Sequence, residues 1–196
     1  GLKIGSTTGY NDAMMAIVVP AAKAAGYSPD CWFSPDSTGQ KGRPYPYMVF
    51  RNMEALGLSC VSRVMKVGDT VADIKEGKNA GLVSVGIIEG SSVMGLTKEE
   101  YEALSPEEKA AEAQRVTAVY KEAGADFVVS DIRGILELVN FTLDEFFLSC
   151  YSEHIPRQRR SDFTFRTPFF YSGTKILMGN TDTAHLRDIK TATDRR

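Results

Sequence analysis

Histidine is almost missing from this chain, and the two that occur, His154 and His185, fall outside every motif described below, so no imidazole is a candidate for the chemistry. Cysteine is equally sparse. Cys31, Cys60 and Cys150 show neither metal-ligand spacing nor a paired framework, which suits a reducing cytoplasm, and each is expected to serve as a small buried hydrophobe. No apolar run approaches the roughly 20 residues that a membrane helix needs, and the first residues read as a strand rather than a signal peptide. Charge of one sign is lacking too. The formal net charge is -2, and although residues 152–196 hold nine Lys or Arg against five Asp or Glu, net +4 beside -6 for residues 1–151, neither half argues for nucleic acid. What remains is an ordinary globular composition, 43% hydrophobic and 24% charged over 196 residues, enough for one core.

The pattern along the chain alternates short apolar runs with helical stretches, the order of a doubly wound α/β sheet. Leu2 to Thr8 is a strand ending in hydroxyls, and Ala13 to Ala25 follows as a helix. A helix then runs to about Gly57, and Val61 to Val67 is a buried strand followed by a helix that stops at Gly81. Ala80 to Ile88 is another strand, Thr97 and Pro106 begin two charged helices, Ala125 to Ser130 is a further strand and Ile132 to Val139 a closing helix.

Four junctions carry candidate chemistry. In Lys66-Val67-Gly68-Asp69-Thr70-Val71-Ala72-Asp73, Asp69 sits at the carboxyl end of a strand, where open α/β sheets bind ligands, and Asp73 lies one helical turn further on. Two carboxylates there suit a hard cation such as magnesium. The same residues fit a capping box from Thr70 to Asp73, and both readings stand. In Ser6-Thr7-Thr8-Gly9-Tyr10 the hydroxyls and free amides can grip a phosphate oxygen at a helix start, or merely cap the helix. In Gly42-Arg43-Pro44-Tyr45-Pro46-Tyr47 two prolines stiffen an exposed turn that presents Arg43, a guanidinium suited to phosphate or phosphonate oxygens and otherwise a solvated charge. Glu89-Gly90-Ser91-Ser92 turns at the end of the next strand, beside the place a phosphate would occupy or as a plain loop.

Hydroxyl, Arg-Pro and GDTxxD, in that order, resemble the haloacid dehalogenase superfamily. The wording KIGSTTGY, GRPYPYMVFRNMEALG, KVGDTVADIKEGKNAG and VGIIEGSS is similar to its phosphonoacetaldehyde hydrolase family, from Gly1 to about Val139. The resemblance implies a Rossmann-like parallel sheet with a strand order like 3-2-1-4-5. It implies that Thr8, in preference to Thr7, binds the phosphoryl group, that Tyr10 lies near the substrate and that Arg43 neutralises the phosphorus oxygens. Asp69 would ligate Mg2+ with Asp73 as its acidic companion, and the substrate would be a small phosphonate, with no nucleic acid or membrane as partner and a homodimer open to the intact enzyme. The implied reaction cleaves a carbon-phosphorus bond through a Schiff base on a lysine and an aspartyl phosphate.

No DxxGT-like nucleophile segment and no cap carrying the lysine precede Thr8, so the resemblance implies a core truncated at its amino-terminal end and inactive by itself. Lys3, Lys23, Lys41, Lys66, Lys75 and Lys78 are expected to be surface charges. Without the nucleophile strand, the strands ending at Thr8 and Asp69 are expected either to close up and pair or to leave a loose, marginally stable fragment with exposed edges. Residues 1–140 are the partial core domain, and 141–196 an unassigned, poorly ordered extension. Within it Ile176 to Thr183 mimics a strand and first motif with Asn180 in the leading position, and is expected to do nothing. Alternatives are another phosphatase or phosphomutase of the superfamily, or a non-catalytic magnesium- and phosphate-binding or interaction fragment.

Overall fold

A computed structural model describes residues 2–139 and the strand Thr174–Gly179. The elements are β1 (Leu2–Thr7), α1 (Asp12–Ala24), β2 (Cys31–Phe33), α2 (Tyr47–Ala55), β3 (Val64–Gly68), α3 (Val71–Asn79), β4 (Val83–Ile87), α4 (Lys98–Ala103), α5 (Pro106–Glu122), β5 (Phe127–Val129) and β6 (Thr174–Gly179). Residues 134–139 are helical. Capping residues set the helix starts. Asn11 caps α1, Thr97 and Ser105 open α4 and α5 with reciprocal Glu100 and Glu108 boxes, and Pro106 occupies the first turn of α5, where its missing N–H costs nothing.

The six strands form one sheet in the order β2-β1-β6-β3-β4-β5. β1 pairs parallel with β2, and β3, β4 and β5 pair parallel in sequence. β6 lies between the two groups and runs antiparallel to both, Leu177 standing opposite Ile4 on one side and Met65 on the other. This is the expected order with the central place taken by the apolar run that seemed inert in the sequence. The expectation of two orphaned edges is therefore corrected. Neither closure of β1 onto β3 nor an open gap results, because a strand in the gap supplies partners to the N–H and C=O groups of both neighbours. This part of the extension belongs to the core sheet; Asn180, His154, His185 and Cys150 lie outside the described residues.

Side chains alternate across β3 as a pleated strand demands. Val64 joins Val49, Met53, Ala80 and Leu82 on one face, while Met65 and Val67 join Val85, Ile87 and Ile135 on the other. A third cluster, Ile74, Ile88, Met94, Val116, Tyr120 and Ala125, seats α3 and α5. Three glycines let helices approach. A Cβ at Gly68 would stand 2.6 Å from Asp73 Cγ, one at Gly77 would stand 2.8 Å from Lys66 Cβ, and one at Gly86 would press the Tyr120 ring at 2.5–2.9 Å.

Several expectations fail for identifiable reasons. β2 has no separate signal in the sequence, being three residues long and half-buried at the sheet edge. Residues Val61–Arg63 form a 3-10 turn before β3 instead of its beginning. Cys60 is exposed, its sulfur 2.9 Å from Ser62 Oγ, and Cys31 is only partly covered, so neither is the buried hydrophobe expected. Lys66 is fully enclosed, not a surface charge, because buried acids on α3 meet it.

Candidate active site

The carboxyl ends of β1 and β3 and the turn entering α2 converge on one rim. Thr70 is the N-cap of α3, and its box with Asp73 is complete. Thr70 N donates to Asp73 Oδ2 (3.2 Å), Asp73 N donates to Thr70 Oγ1 (3.1 Å), and the Thr70 hydroxyl also donates to Oδ2 (2.7 Å). The other carboxylate oxygen, Oδ1, receives Arg43 Nη1. The capping and charge-pairing roles of Asp73 thus coexist in one fully buried side chain. Arg43 is correspondingly not the exposed residue expected of a rigid turn. Its side chain retains 19% exposure, because a buried carboxylate draws the guanidinium inward.

Arg43 also reaches β1. A Cβ on Gly9 would stand 2.9 Å from Arg43 Nη2, so this glycine leaves the space the guanidinium fills. Beside it, Thr8 is buried and its Oγ1 accepts from Tyr10 N (3.1 Å), which leaves the hydroxyl hydrogen to donate. Tyr10 remains 39% exposed at the edge. Thr7 points elsewhere. Its hydroxyl accepts from Lys66 Nζ (2.5 Å) and donates to Glu76 Oε2 (2.9 Å), wholly below the surface. Of the two threonines, only Thr8 has a hydroxyl outside that buried network. Asn11, not a threonine, caps α1.

Asp69 follows β3, half-buried, and its Oδ2 accepts from Ser92 Oγ (3.0 Å) in the turn after β4. The Glu89 turn therefore joins the rim. Behind it Tyr120 donates to Ile87 O (3.0 Å), and its phenol is pushed up to about 12, chiefly by burial, with the charges of Asp69 and Asp73 raising it and a hydrogen bond from Ser91 opposing. The charges of the two aspartates thus act on the buried phenol.

Among the described residues no three His, Cys, Asp or Glu side chains cluster closely enough to cage a metal. Asp73 has both oxygens engaged, so Asp69 is the carboxylate with capacity to spare. One or two carboxylates with water and phosphate oxygens is the donor set magnesium accepts, so the residues fit such an ion. The sequence missed Ser92 as an Asp69 partner and Lys66 as a buried base. Only the period-2 alternation of β3, which puts Lys66 on the face of Val64 and Gly68, hints at the latter.

A mainly parallel sheet thus brings a hydroxyl, a guanidinium and carboxylates to the carboxyl ends of its strands, where open α/β sheets bind ligands. A haloacid dehalogenase-like hydrolase family model matches residues 1–81 of the chain. Its sequence is 46% identical over 145 residues to a phosphonoacetaldehyde hydrolase of Lysinibacillus sphaericus, covering 74% of this chain and 54% of that protein. It is also 46% identical over 177 residues to a bifunctional phosphonoacetaldehyde hydrolase/aminoethylphosphonate transaminase of Clostridioides difficile, covering 90% of this chain and 27% of that one. A match of that extent passes beyond residue 139 and so takes in part of the extension that the sequence left unassigned. In structure the chain is similar to a phosphonoacetaldehyde hydrolase like protein from Oleispira antarctica, with a TM-score of 0.69 at 31% identity, over 73% of this chain and 51% of that one. The chain spans about half the length, or less, of the curated relatives it matches. No described helix is long and apolar enough to cross a membrane.

Proposed function

We propose that this chain forms the phosphoryl-binding core of a phosphonoacetaldehyde hydrolase. The observation that carries this reading is the placement of Arg43, tied to Asp73 on one side and set against the Thr8-Gly9 loop on the other. Nη1 donates to the aspartate and Nη2 lies against the backbone at Gly9, so the planar guanidinium would meet a phosphonate held at that loop. Thr8 would donate to a phosphorus oxygen, Tyr10 would flank the substrate, and Asp69 would hold a divalent ion, which we take to be Mg2+. Bound there, the ion would stabilise charge on the phosphoryl oxygens. Asp73 would act by holding Arg43 and the α3 terminus in place.

The reaction would convert phosphonoacetaldehyde and water to acetaldehyde and phosphate, the oxygen of water ending on phosphorus and its proton on carbon. A carbon-phosphorus bond breaks heterolytically only if the departing electron pair is delocalised, and an iminium made from the aldehyde and a lysine provides that sink. The lysine for the Schiff base and the aspartate that would accept the phosphoryl group match no residue identified in this chain. Its own residues bind, orient and neutralise.

Calorimetric titration with inorganic phosphate, with and without magnesium, tests the proposal. Saturable binding should be seen, Arg43→Ala should abolish it, and Asp69→Asn should remove its dependence on magnesium. No saturation up to roughly 10 mM, a binding free energy weaker than about 3 kcal/mol, would refute it.

A further inference from the structure

Thr7 is the last residue of β1 and stands directly before Thr8, yet its own hydroxyl does not face the rim. Thr7 Oγ1 accepts from Lys66 Nζ (2.5 Å) and donates to Glu76 Oε2 (2.9 Å), and all three residues are fully buried. Lys66 belongs to β3, three positions before Asp69, and Glu76 belongs to α3, the helix that follows. One hydroxyl thus ties the end of β1 to both elements that flank Asp69. The backbone here is held by other means as well. Asn52 Nδ2 on α2 donates to Ser6 O (3.1 Å) and to Met48 O (2.8 Å), and Thr7 is in register with Phe33 of β2 and Thr174 of β6.

The bonds of Thr7 exceed what the strand requires. Valine has nearly the same shape, suits a strand equally and would bury no hydroxyl. Lys66 meets Glu76 directly, so neither charge depends on Thr7 for a partner. Burial of the group is also imperfect, because Glu76 Oε2 takes both donors while Oε1 is enclosed without a hydrogen-bond partner among the described residues. What the hydroxyl adds is direction. A side chain pinned through both a donor and an acceptor restricts φ and ψ of its own residue, and ψ at Thr7 aims the peptide that carries Thr8. A displacement of about 1 Å there is enough to lose an oriented contact with a ligand.

We propose that Thr7 is a positioning residue: held between Lys66 and Glu76, it registers the Thr8 loop against the β3 and α3 unit that carries Asp69, so that the Thr8 hydroxyl is aimed at a phosphorus oxygen. This rests on the reading of the rim as a phosphate site.

The test is the affinity for inorganic phosphate, measured on the whole chain in magnesium buffer for wild type, Thr7→Ser, Thr7→Val, Thr8→Val and the double Thr7→Val/Thr8→Val variant. Thr8→Val removes a hydrogen bond to a charged ligand and should weaken phosphate about tenfold or more. Thr7→Val should weaken it at least about fivefold, while Thr7→Ser, which keeps the hydroxyl, should stay within about threefold of wild type. Because Thr7 acts through Thr8, the double variant should bind within about threefold of Thr8→Val instead of showing the product of the two losses. A residue that only stabilised the fold would leave the affinity of the folded protein unchanged. Folded Thr7→Val that binds like wild type, Thr7→Ser as weak as Thr7→Val, or losses that multiply in the double variant overturn the inference. Should Thr7→Val fail to fold, Thr7→Cys takes its place, a thiol being a weak donor and acceptor; it should bind at least about threefold more weakly than Thr7→Ser, and equal binding overturns the inference. Wild type that binds no phosphate overturns the rim reading and this inference together. Thr8→Val weakened as expected beside an unaffected Thr7→Val overturns the inference alone.

Discussion

Gly68→Ala should be among the most damaging single-methyl additions in the molecule. The new Cβ would lie 2.6 Å from Asp73 Cγ and 2.8 Å from its Oδ2, and closer still to its Cβ, where carbon atoms normally keep about 3.5–4 Å. Asp73 cannot swing aside, since it is buried and tied to Thr70 through the capping box and to Arg43 through Oδ1. Overpacking a tight contact costs roughly 1–3 kcal/mol, and loss of the cap about 1 kcal/mol more. A total of about 2–4 kcal/mol would be a large part of the roughly 5–15 kcal/mol that holds an ordinary domain. Urea-induced unfolding followed by circular dichroism measures it. Gly42→Ala is the control, because its Cβ would meet the Pro35 ring at 3.2 Å (Cγ) and 3.6 Å (Cβ), and it should cost under about 1 kcal/mol. A Gly68→Ala protein within about 0.5 kcal/mol of wild type would show that α3 is not pressed on β3 in this way.

Other perturbations separate the site from the scaffold. Gly9→Ala puts a methyl 2.9 Å from Arg43 Nη2, at the end of a long side chain, so phosphate affinity should fall while urea stability changes by less than about 1 kcal/mol; an unchanged affinity would contradict the placement of Arg43. Tyr120 titrates near 10 when unfolded and is pushed up to about 12 when folded, so its contribution is intact below pH 10 and is lost as pH rises through 12. The loss should reach about 3 kcal/mol, and Tyr120→Phe should abolish that alkaline slope; equal slopes in both proteins would count against it. Asp126→Asn weakens an acid that accepts from Ser84 N (2.8 Å) and Lys78 (2.9 Å), and should lower the urea midpoint by an amount equivalent to about 1–2 kcal/mol. Ending the chain at residue 139 should abolish cooperative unfolding, since β1 and β3 would lose the strand between them; a sharp transition in the shortened chain would contradict that role for β6.

Legibility in the sequence followed the locality of the cause. Thr70 and Asp73 are three residues apart, so the capping box could be read directly, and the helices at Thr97 and Pro106 were legible for the same reason. Arg43 was visible as a guanidinium at a turn, but its burial was not, since that depends on Asp73 thirty positions away. Lys66 looked like any lysine; only the face shared with Asp73 and Glu76, assembled by the packing of α3 on β3, encloses it. β6 defeated expectation most fully. Its apolar run was evident, yet nothing in six residues specifies that their partners are β1 and β3 on either side, because strand pairing over more than a hundred residues is a property of the whole sheet.

The position of β6 has a bearing on how the molecule comes into being. A ribosome releases β1, β2 and the β3-β4-β5 group long before Thr174 emerges, so two incomplete half-sheets must wait, edges bare, for the segment that stitches them. Closing contacts of such long sequence separation slows folding and prolongs the time in which those edges can pair with a stranger. For this chain the vulnerable period is the interval of synthesis itself, and chaperone demand should peak just before β6 arrives.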